Sequence, residues 1–256
     1  MYDPKTELLI TDPQPDNLDK YYESEAYISH TDSKKTLMDK IYQYIKALNI
    51  RFKLNLIDHY TNKSKKLLDV GTGTGDFLVA AQKKGWNILG IEPNKNALEK
   101  AREKRIAVLP TLNSIPQQKF DIITLWHVLE HLPDLDSQIT NLVELLEENG
   151  TLIIAVPNYK SYDAKYYKEH WAAYDVPRHL WHFSKTSIDS IFLEHNMKVV
   201  KTKPMLFDAF YVSLLSEKYK TGKTNTLKAI WIGLLSNLSG IWTKEYSSHI
   251  YILQKT

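Results

Sequence analysis

Polar positions dominate the start of the chain, and Pro4, Pro13 and Pro15 interrupt them, which predicts an extended N-terminal arm over residues 1–33. Tyr21, Tyr22 and Tyr27 sit in this arm, where they could close over a ligand as a lid or belong to a frayed terminus. Residues 34–256 form the main domain. Leu37, Ile41, Tyr44, Ile45, Leu48 and Phe52 recur at three- and four-residue spacing, the period of a helix.

From Lys66 the pattern changes to short apolar runs separated by amphipathic ones. Strands are predicted at 66–70, 87–91, 106–109, 120–126 and 151–156, with helices starting at Asp76 and spanning 94–104 and 134–146. Strands that alternate with helices make βαβ units and a mostly parallel α/β sheet covered on both faces. Right-handed crossovers then line up the strand C-termini, and any ligand, along one edge.

The last hundred residues are less regular. Eight aromatics crowd residues 159–183, where core packing is the default and a hydrophobic acceptor pocket is the alternative. A helix at 185–195 and a strand at 198–203 come next. Two apolar helices at about 206–219 and 226–239 form a helical insertion (205–240) before a closing strand at 247–253. These helices are too short to span a bilayer. Their Trp, Leu and flanking Lys residues suit a membrane surface or a packing or dimer face, so the chain is expected as a monomer or homodimer with peripheral membrane contact as one option.

Composition narrows the chemistry more than the fold. The 256 residues are 43% hydrophobic and 25% charged, as in an ordinary globular protein. A net charge of +3 is too small by itself to argue for nucleic acid or for an anionic membrane. There is no cysteine, which excludes disulfides, thiolate metal sites and cysteine nucleophiles. No signal peptide and no run of about 18 apolar residues is visible, so a cytoplasmic location is expected.

The candidate chemistry centres on Leu67-Leu68-Asp69-Val70-Gly71-Thr72-Gly73-Thr74-Gly75. Three glycines at alternate positions between a strand and a helix allow a sharp turn and close approach of a ligand to the main chain. The helix N-terminus beyond offers N–H groups to an anion. Asp76 stands where a dinucleotide fingerprint needs glycine, and no G-K-[ST] is present, so neither a dinucleotide nor a Walker loop fits. Glu92, about twenty residues on at the end of the next strand, can accept both hydroxyls of a ribose. A carboxylate there would suit NAD as well, but Asp69 before the glycines and the missing third dinucleotide glycine favour an aminoacyl-nucleoside with no pyrophosphate.

This segment resembles motif I of the class I S-adenosylmethionine-dependent methyltransferases, in particular the ubiquinone-biosynthesis-like branch (types 11, 12 and 23). Further matches are Gly90-Ile91-Glu92-Pro93-Asn94, the stretch from Phe120 to Asp134 containing Trp126-His127-Val128-Leu129-Glu130-His131, and Gly150 to Asn158, in order over about 65–160. The resemblance implies a Rossmann-like seven-stranded sheet with an antiparallel last strand, in agreement with the closing strand. It implies S-adenosylmethionine as cofactor. Asp69 and the loop of Gly71, Thr72, Gly73 and Gly75 would meet its methionine portion, with Phe77 in the same site. Glu92, next to Pro93, would hold the ribose, and Trp126 with His127 would line the cofactor. The family often has an acidic residue after the third strand near adenine; here the chain reads Leu109 to Ser114 without a carboxylate, leaving Asn113 or Ser114 as the contact or as solvated loop residues.

An oxygen or nitrogen acceptor needs a base for its proton. His131 is the leading candidate, the alternative being that it caps the next helix. His179 is a second. His179 and His182 also have metal-ligand spacing, but no carboxylate can be assigned to them from sequence, so packing is preferred and no metal is expected. The expected function is methyl transfer to a small-molecule or lipid-like acceptor, with O-methylation first. A nucleic-acid methyltransferase and a non-catalytic cofactor-binding scaffold are the rivals, and a nicotinamide dehydrogenase is the weakest reading.

Overall fold

The computed structural model describes residues 1–15, 17–21, 37–61 and 64–256. Leu37–Tyr60 (α1) is the first long helix. The alternating region then reads Lys66–Val70 (β3), Asp76–Lys83 (α2), Asn87–Ile91 (β4), Lys95–Glu103 (α3), Val108–Leu109 (β5), Phe120–Trp126 (β6), Leu135–Glu144 (α4) and Leu146–Pro157 (β7). Two short strands, Tyr2–Asp3 (β1) and Leu8–Ile10 (β2), precede them. After β7 come Tyr162–Tyr167 (α5), Trp181–His182 (β8), Lys185–Glu194 (α6), Met197–Pro204 (β9), Asp208–Thr221 (α7), Thr226–Thr243 (α8) and Ser248–Lys255 (β10).

Seven strands form one sheet in the order β5-β4-β3-β6-β7-β10-β9. β3 runs parallel to both β4 and β6, with Asp69 level with Gly90 on one side and Thr124 on the other. β10 runs antiparallel to β9, with a register shift between Ile252 and Leu253. The expected α/β architecture with an antiparallel closing strand and a helical insertion before it is therefore present. Leu67, Leu68, Ile122, Ile123 and Leu125 are fully buried, as strands covered on both faces require.

By internal contacts the chain divides into two compact units. One holds residues 16–125 and 141–152, the other 1–15, 126–140 and 153–256. In the first, polar contacts fasten α1 to α2 and its flanking turns: Asp58 accepts from Lys84 Nζ and Trp86 Nε1, each at 2.9 Å. Lys46 of α1 and Lys104 both pair with Asp76, at 2.5 and 2.6 Å. Burial favours the neutral form of Asp76, but the two ammonium groups outweigh it and hold its carboxyl below the usual range. The residue that breaks the dinucleotide fingerprint thus anchors the start of α2.

In the second unit the N-terminal residues are not an arm. β1 and β2 form a hairpin that pairs antiparallel with β8, Leu9 opposite His182 and Ile10 opposite Trp181. Leu8 is buried, and the Glu7 carbonyl accepts from Tyr159 Oη at 2.7 Å and Ser187 Oγ at 2.9 Å. Of the lid tyrosines, Tyr21 is exposed, and Tyr22 and Tyr27 lie outside the described residues. β7 also begins earlier than its apolar run. Leu146 is buried, and the Leu145 carbonyl accepts from Phe120 N–H at 2.9 Å, so the polar stretch before Gly150 is extended rather than helical.

The aromatic segment is chiefly core. Tyr167 and Trp171 pack with Ala164, Ala173 and Ile232, and Tyr159, Tyr162, Tyr166 and Tyr174 lie against this cluster. The narrow gap beside Pro157, Tyr159, Trp171, His179, Trp181 and His182 has no room for a water molecule. This gap offers no room for the alternative reading of the aromatics in 159–183, an acceptor pocket, and core packing, the default reading, accounts for this cluster. Asp163, wholly buried beneath it, accepts from Trp171 Nε1 (2.7 Å), Ser236 Oγ (2.6 Å) and Ser247 Oγ (2.7 Å). Three donors from α8, the turn after α5 and the entry to β10 thus depend on one carboxylate. Asp163→Ala strands all three in a dry interior, and each orphaned donor costs about 1 kcal/mol or more. A loss of at least about 3 kcal/mol in urea unfolding is expected, and a variant as stable as the parent would refute the clamp.

Candidate active site

The glycine loop owes its shape to left-handed backbone at Gly71, Gly73 and Gly75, with φ of 71°, 57° and 80°. The Ile91 carbonyl at the end of β4 accepts from Gly71 and Thr72 N–H, at 2.8 and 3.0 Å, and so fixes the start of the turn. The glycines differ in what lies beside them. A Cβ on Gly75 would strike Ile106 Cδ1 at 2.2 Å, so this glycine serves packing. A Cβ on Gly73 would meet nothing within 4 Å, so the loop faces open space there.

Glu92 is the pivot of this loop. It is 3% exposed, and its two oxygens accept different backbone N–H groups: Oε2 from Gly73 at 2.7 Å and Oε1 from Asn94 at 2.9 Å. Each oxygen retains a lone pair for a further donor. Burial pushes the Glu92 carboxyl above its ordinary value despite these bonds. Asp69, also 3% exposed, accepts from Thr124 Oγ1 at 2.5 Å on the neighbouring strand, and burial again raises its carboxyl. Two buried acids with so few fixed donors suit a ligand that brings donors of its own.

The remaining residues predicted for this site are less uniform. Thr72 is buried within the loop, its Cγ2 against Gly90. Phe77 is buried in the first turn of α2 with Lys53 Nζ 5.7 Å from its ring centre, so it supports the loop from within. Pro93 is exposed. Asn113 is exposed in a 3₁₀ turn, Leu112–Ser114, and lines a shallow cleft of about 460 Å³ with Gln117, Lys119 and Glu144, at the entry to β6. Neither Glu92 nor the glycine loop borders that cleft.

In the second unit, Trp126 ends β6, half-buried, and the chain turns at His127, whose φ of 56° is unusual for a residue with a side chain. His127 Nε2 lies 2.9 Å from Asp208 Oδ2, and Nδ1 lies 3.4 Å from Glu130 Oε1. Burial disfavours the imidazolium, but these carboxylates overcome it and raise the group to about 10. Glu130, only 1% exposed, shows the mirror image: burial would raise it, yet His127, His179 and His131 hold it down to about 2. Neither Glu130 oxygen has a conventional hydrogen-bond partner among the described residues.

His131 Nδ1 lies 3.1 Å from the Arg178 carbonyl and must donate to it, which makes Nε2 the basic ring nitrogen. Leu180 N–H donates to the Glu130 carbonyl at 2.8 Å, and Trp181 Nε1 to the Leu132 carbonyl at 2.8 Å. These three bonds lash 178–181 to 130–132, and the His131 and His179 rings meet edge to face at 4.4 Å. One donor atom each from Glu130, His131 and His179 falls within 4.8 Å of the others, a set able to hold a metal ion. Glu130 is thus the carboxylate that sequence could not assign to the histidines. His182 is drawn off instead to Thr11, 3.2 Å from its Nε2.

A family profile described as a methyltransferase domain matches residues 27–202. The chain belongs to this methyltransferase-domain family. Among curated relatives, the ubiquinone biosynthesis O-methyltransferase of Coxiella burnetii is 31% identical over 113 residues, 40% of this chain and 48% of the relative. That of Rickettsia typhi is 27% identical over 165 residues, 59% and 67% of the two chains. The chain spans about half the length of most of the curated relatives it matches. Magnesium protoporphyrin IX methyltransferase from Synechocystis PCC 6803, solved with bound SAH, shares the fold with a TM-score of 0.61 at 13% identity, covering 93% of this chain and 97% of that one. A possible histamine N-methyltransferase from Thermotoga maritima does so with a TM-score of 0.55 at 18% identity, covering 84% and 96%.

Substitution at the glycines should separate their roles. Gly75→Ala should unfold at markedly lower urea than the parent, because its Cβ collides and its φ is positive, whereas Gly73→Ala should carry only the backbone cost of about 1 kcal/mol. Equal losses in the two variants would contradict the division. Acid tests the histidines. Burial lowers His179, His182 and His249 to about 4 in the folded protein. Between about pH 6.5 and 4 the unfolded chain therefore binds protons that the folded one refuses, and stability falls with pH by about 1.4 kcal/mol per unit for each histidine. His127, raised instead, stays charged in both states through most of that window and does not offset the fall. Urea midpoints that do not drop between pH 7 and 5, or a slope unchanged in His182→Gln, would refute this account.

Proposed function

We propose that the chain binds S-adenosylmethionine and transfers its methyl group to a hydroxyl of a small or lipid-like acceptor. The observation that carries this reading is Glu92, a buried carboxylate aimed by Gly73 and Asn94 N–H with a lone pair left on each oxygen. Such a group fits a ribose diol, and the open side of Gly73 gives the main chain room for a ligand. Asp69, with Gly71 to Gly75, holds the methionine portion. Membership of the methyltransferase-domain family supports the cofactor, and the similarity to ubiquinone-biosynthesis enzymes supports an oxygen acceptor.

The bound cofactor supplies an electrophilic sulfonium methyl, and the residues of the chain bind, orient and handle the proton. Proton handling falls to His131. Its Nδ1–H is committed to the Arg178 carbonyl, so Nε2 accepts the proton of the acceptor hydroxyl as the oxygen attacks. Glu130, an anion in the same cluster, stabilises the imidazolium that results. His179 holds this arrangement in place, its Nδ1 donating to the Ala173 carbonyl at 2.8 Å. A second reading comes from the same three groups: a divalent cation held by Glu130, His131 and His179 would lower the acceptor's pKa directly.

Calorimetry with the demethylated cofactor tests the first part. Glu92→Ala should weaken binding about tenfold to a hundredfold, the worth of hydrogen bonds to a charged group, and unchanged affinity would remove the assignment. His131→Ala should leave that affinity intact while lowering methyl transfer by about 10²-fold or more. Full turnover in this variant would end the base role. Activity abolished by chelator and restored by one divalent ion would select the cation reading. Cofactor binding without transfer to any offered acceptor would identify a scaffold.

A further inference from the structure

Helix α8 is built inside out. Its buried face consists of Ala229, Ile232, Gly233, Ser236 and Gly240, almost all small. Its exposed face carries Leu227, Ile230, Trp231, Leu234, Leu238, Ile241 and Trp242. At 3.6 residues per turn these seven fall within about a third of the circumference, so they form one continuous stripe along a helix about 27 Å long. Leu227 is 83% exposed, Trp231 58% and Trp242 76%. Leu206, Phe207, Tyr211 and Tyr219, on α7 and the turn into it, are exposed as well. Scattered surface apolar residues are ordinary, but a stripe of this extent marks a surface with a partner.

The charge carried by this stretch of the chain bears on which partner fits. Residues 195–244 contain eight lysines and two acids, a surplus of six positive charges in a chain whose total is +3. Both acids are used internally. Glu217 is buried and pairs with Lys228 at 3.0 Å, and Asp208 pairs with His127 at 2.9 Å. Lys218, Lys220 and Lys223, in the last turn of α7 and the link to α8, are exposed, as are Lys201 and Lys244. A second copy meeting this face across a two-fold axis would set lysine against lysine, with no exposed acid in the stretch to pair them. A nucleic acid would answer the lysines but leave Leu227, Leu234, Leu238 and Ile241 in water. An anionic bilayer answers both: its phosphates take the lysines, and its acyl boundary takes the aliphatic and indole side chains. Among the described residues no helix is long and apolar enough to cross a membrane, so the contact is with the surface.

We propose that the α7–α8 unit is a peripheral membrane anchor that lays the Leu227–Trp242 stripe into an anionic lipid surface. The anchor holds the protein where a lipid-like acceptor resides, but binding does not depend on methyl transfer.

Cosedimentation of the full chain with phosphatidylcholine vesicles and with mixed phosphatidylcholine–phosphatidylglycerol vesicles tests it. Binding to the mixed vesicles is expected, with a blue shift in tryptophan emission and release at high salt. Each lysine removed should cost about fivefold in partitioning, so Lys218→Glu with Lys223→Glu should all but abolish it. Trp231→Ala with Trp242→Ala should lower it by about tenfold or more. All four positions are solvent-facing, and unchanged thermal unfolding will verify that the variants fold. No binding to mixed vesicles, or equal binding by the double tryptophan variant, overturns the proposal. So does a dimer in solution that Trp231→Ala dissolves while vesicles remain unbound, since the stripe would then belong to a second copy. Cofactor calorimetry on the same preparations is independent of either result, so failure of the anchor and failure of the methyltransferase reading are told apart.

Discussion

A carboxylate removed from water must be given donors or opposite charge, and this requirement organises both halves of the molecule. Glu92 meets it with two backbone N–H groups, one from the glycine loop and one from the turn into α3. Because those donors belong to different loops, the carboxylate also sets where the loops stand. The three positive φ values that shape the loop are thus tied to a side chain nineteen residues away in sequence. Remove the acid and Gly73 N–H loses the partner that orients it.

The other buried acids use different means, and the difference predicts what each can do. Asp163 is held by an indole and two hydroxyls, a neutral set of three donors from the surrounding core that makes it structural. Glu130 is surrounded by imidazoles with no conventional hydrogen bond, so it is stabilised by charge and remains able to take a donor or a cation. Asp69 and Glu92 lie between these cases, bonded but with capacity left. Their carboxyls are raised by burial, as expected of groups whose full complement arrives with a ligand.

The parts of the fold legible in sequence were those set by local pattern. β3, β4 and β6 begin and end where their apolar runs do, since each is covered on both faces and bounded by a loop or turn. The glycine loop, Asp69 and Glu92 were legible for the same reason: strand, turn and helix are contiguous. What sequence missed is non-local. β1, β2 and β8 are two or three residues each and exist only because they pair with one another, so periodicity carried no trace of them. The cluster of Glu130, His131 and His179 depends on three hydrogen bonds joining segments nearly fifty residues apart, which the spacing of His179 and His182 does not reveal. A helix continuing from α4 into Leu146 looked sound until strand pairing claimed that residue.

Helix α8 shows how packing can make an outward feature unavoidable. A Cβ on Gly233 would meet Phe210 Cα at 3.0 Å, and one on Gly240 would meet the Tyr246 ring at 2.6 Å. The helix therefore approaches α7 and the chain before β10 too closely for large side chains on its inner face. Each large apolar residue turned outward forgoes about 1.5–3 kcal/mol that burial would contribute. The inner face cannot take them, so they remain outside unless another surface covers them. Close helix packing and an exposed apolar stripe are one arrangement seen from two sides, and its uniform apolar composition hides the inversion from any reading of periodicity.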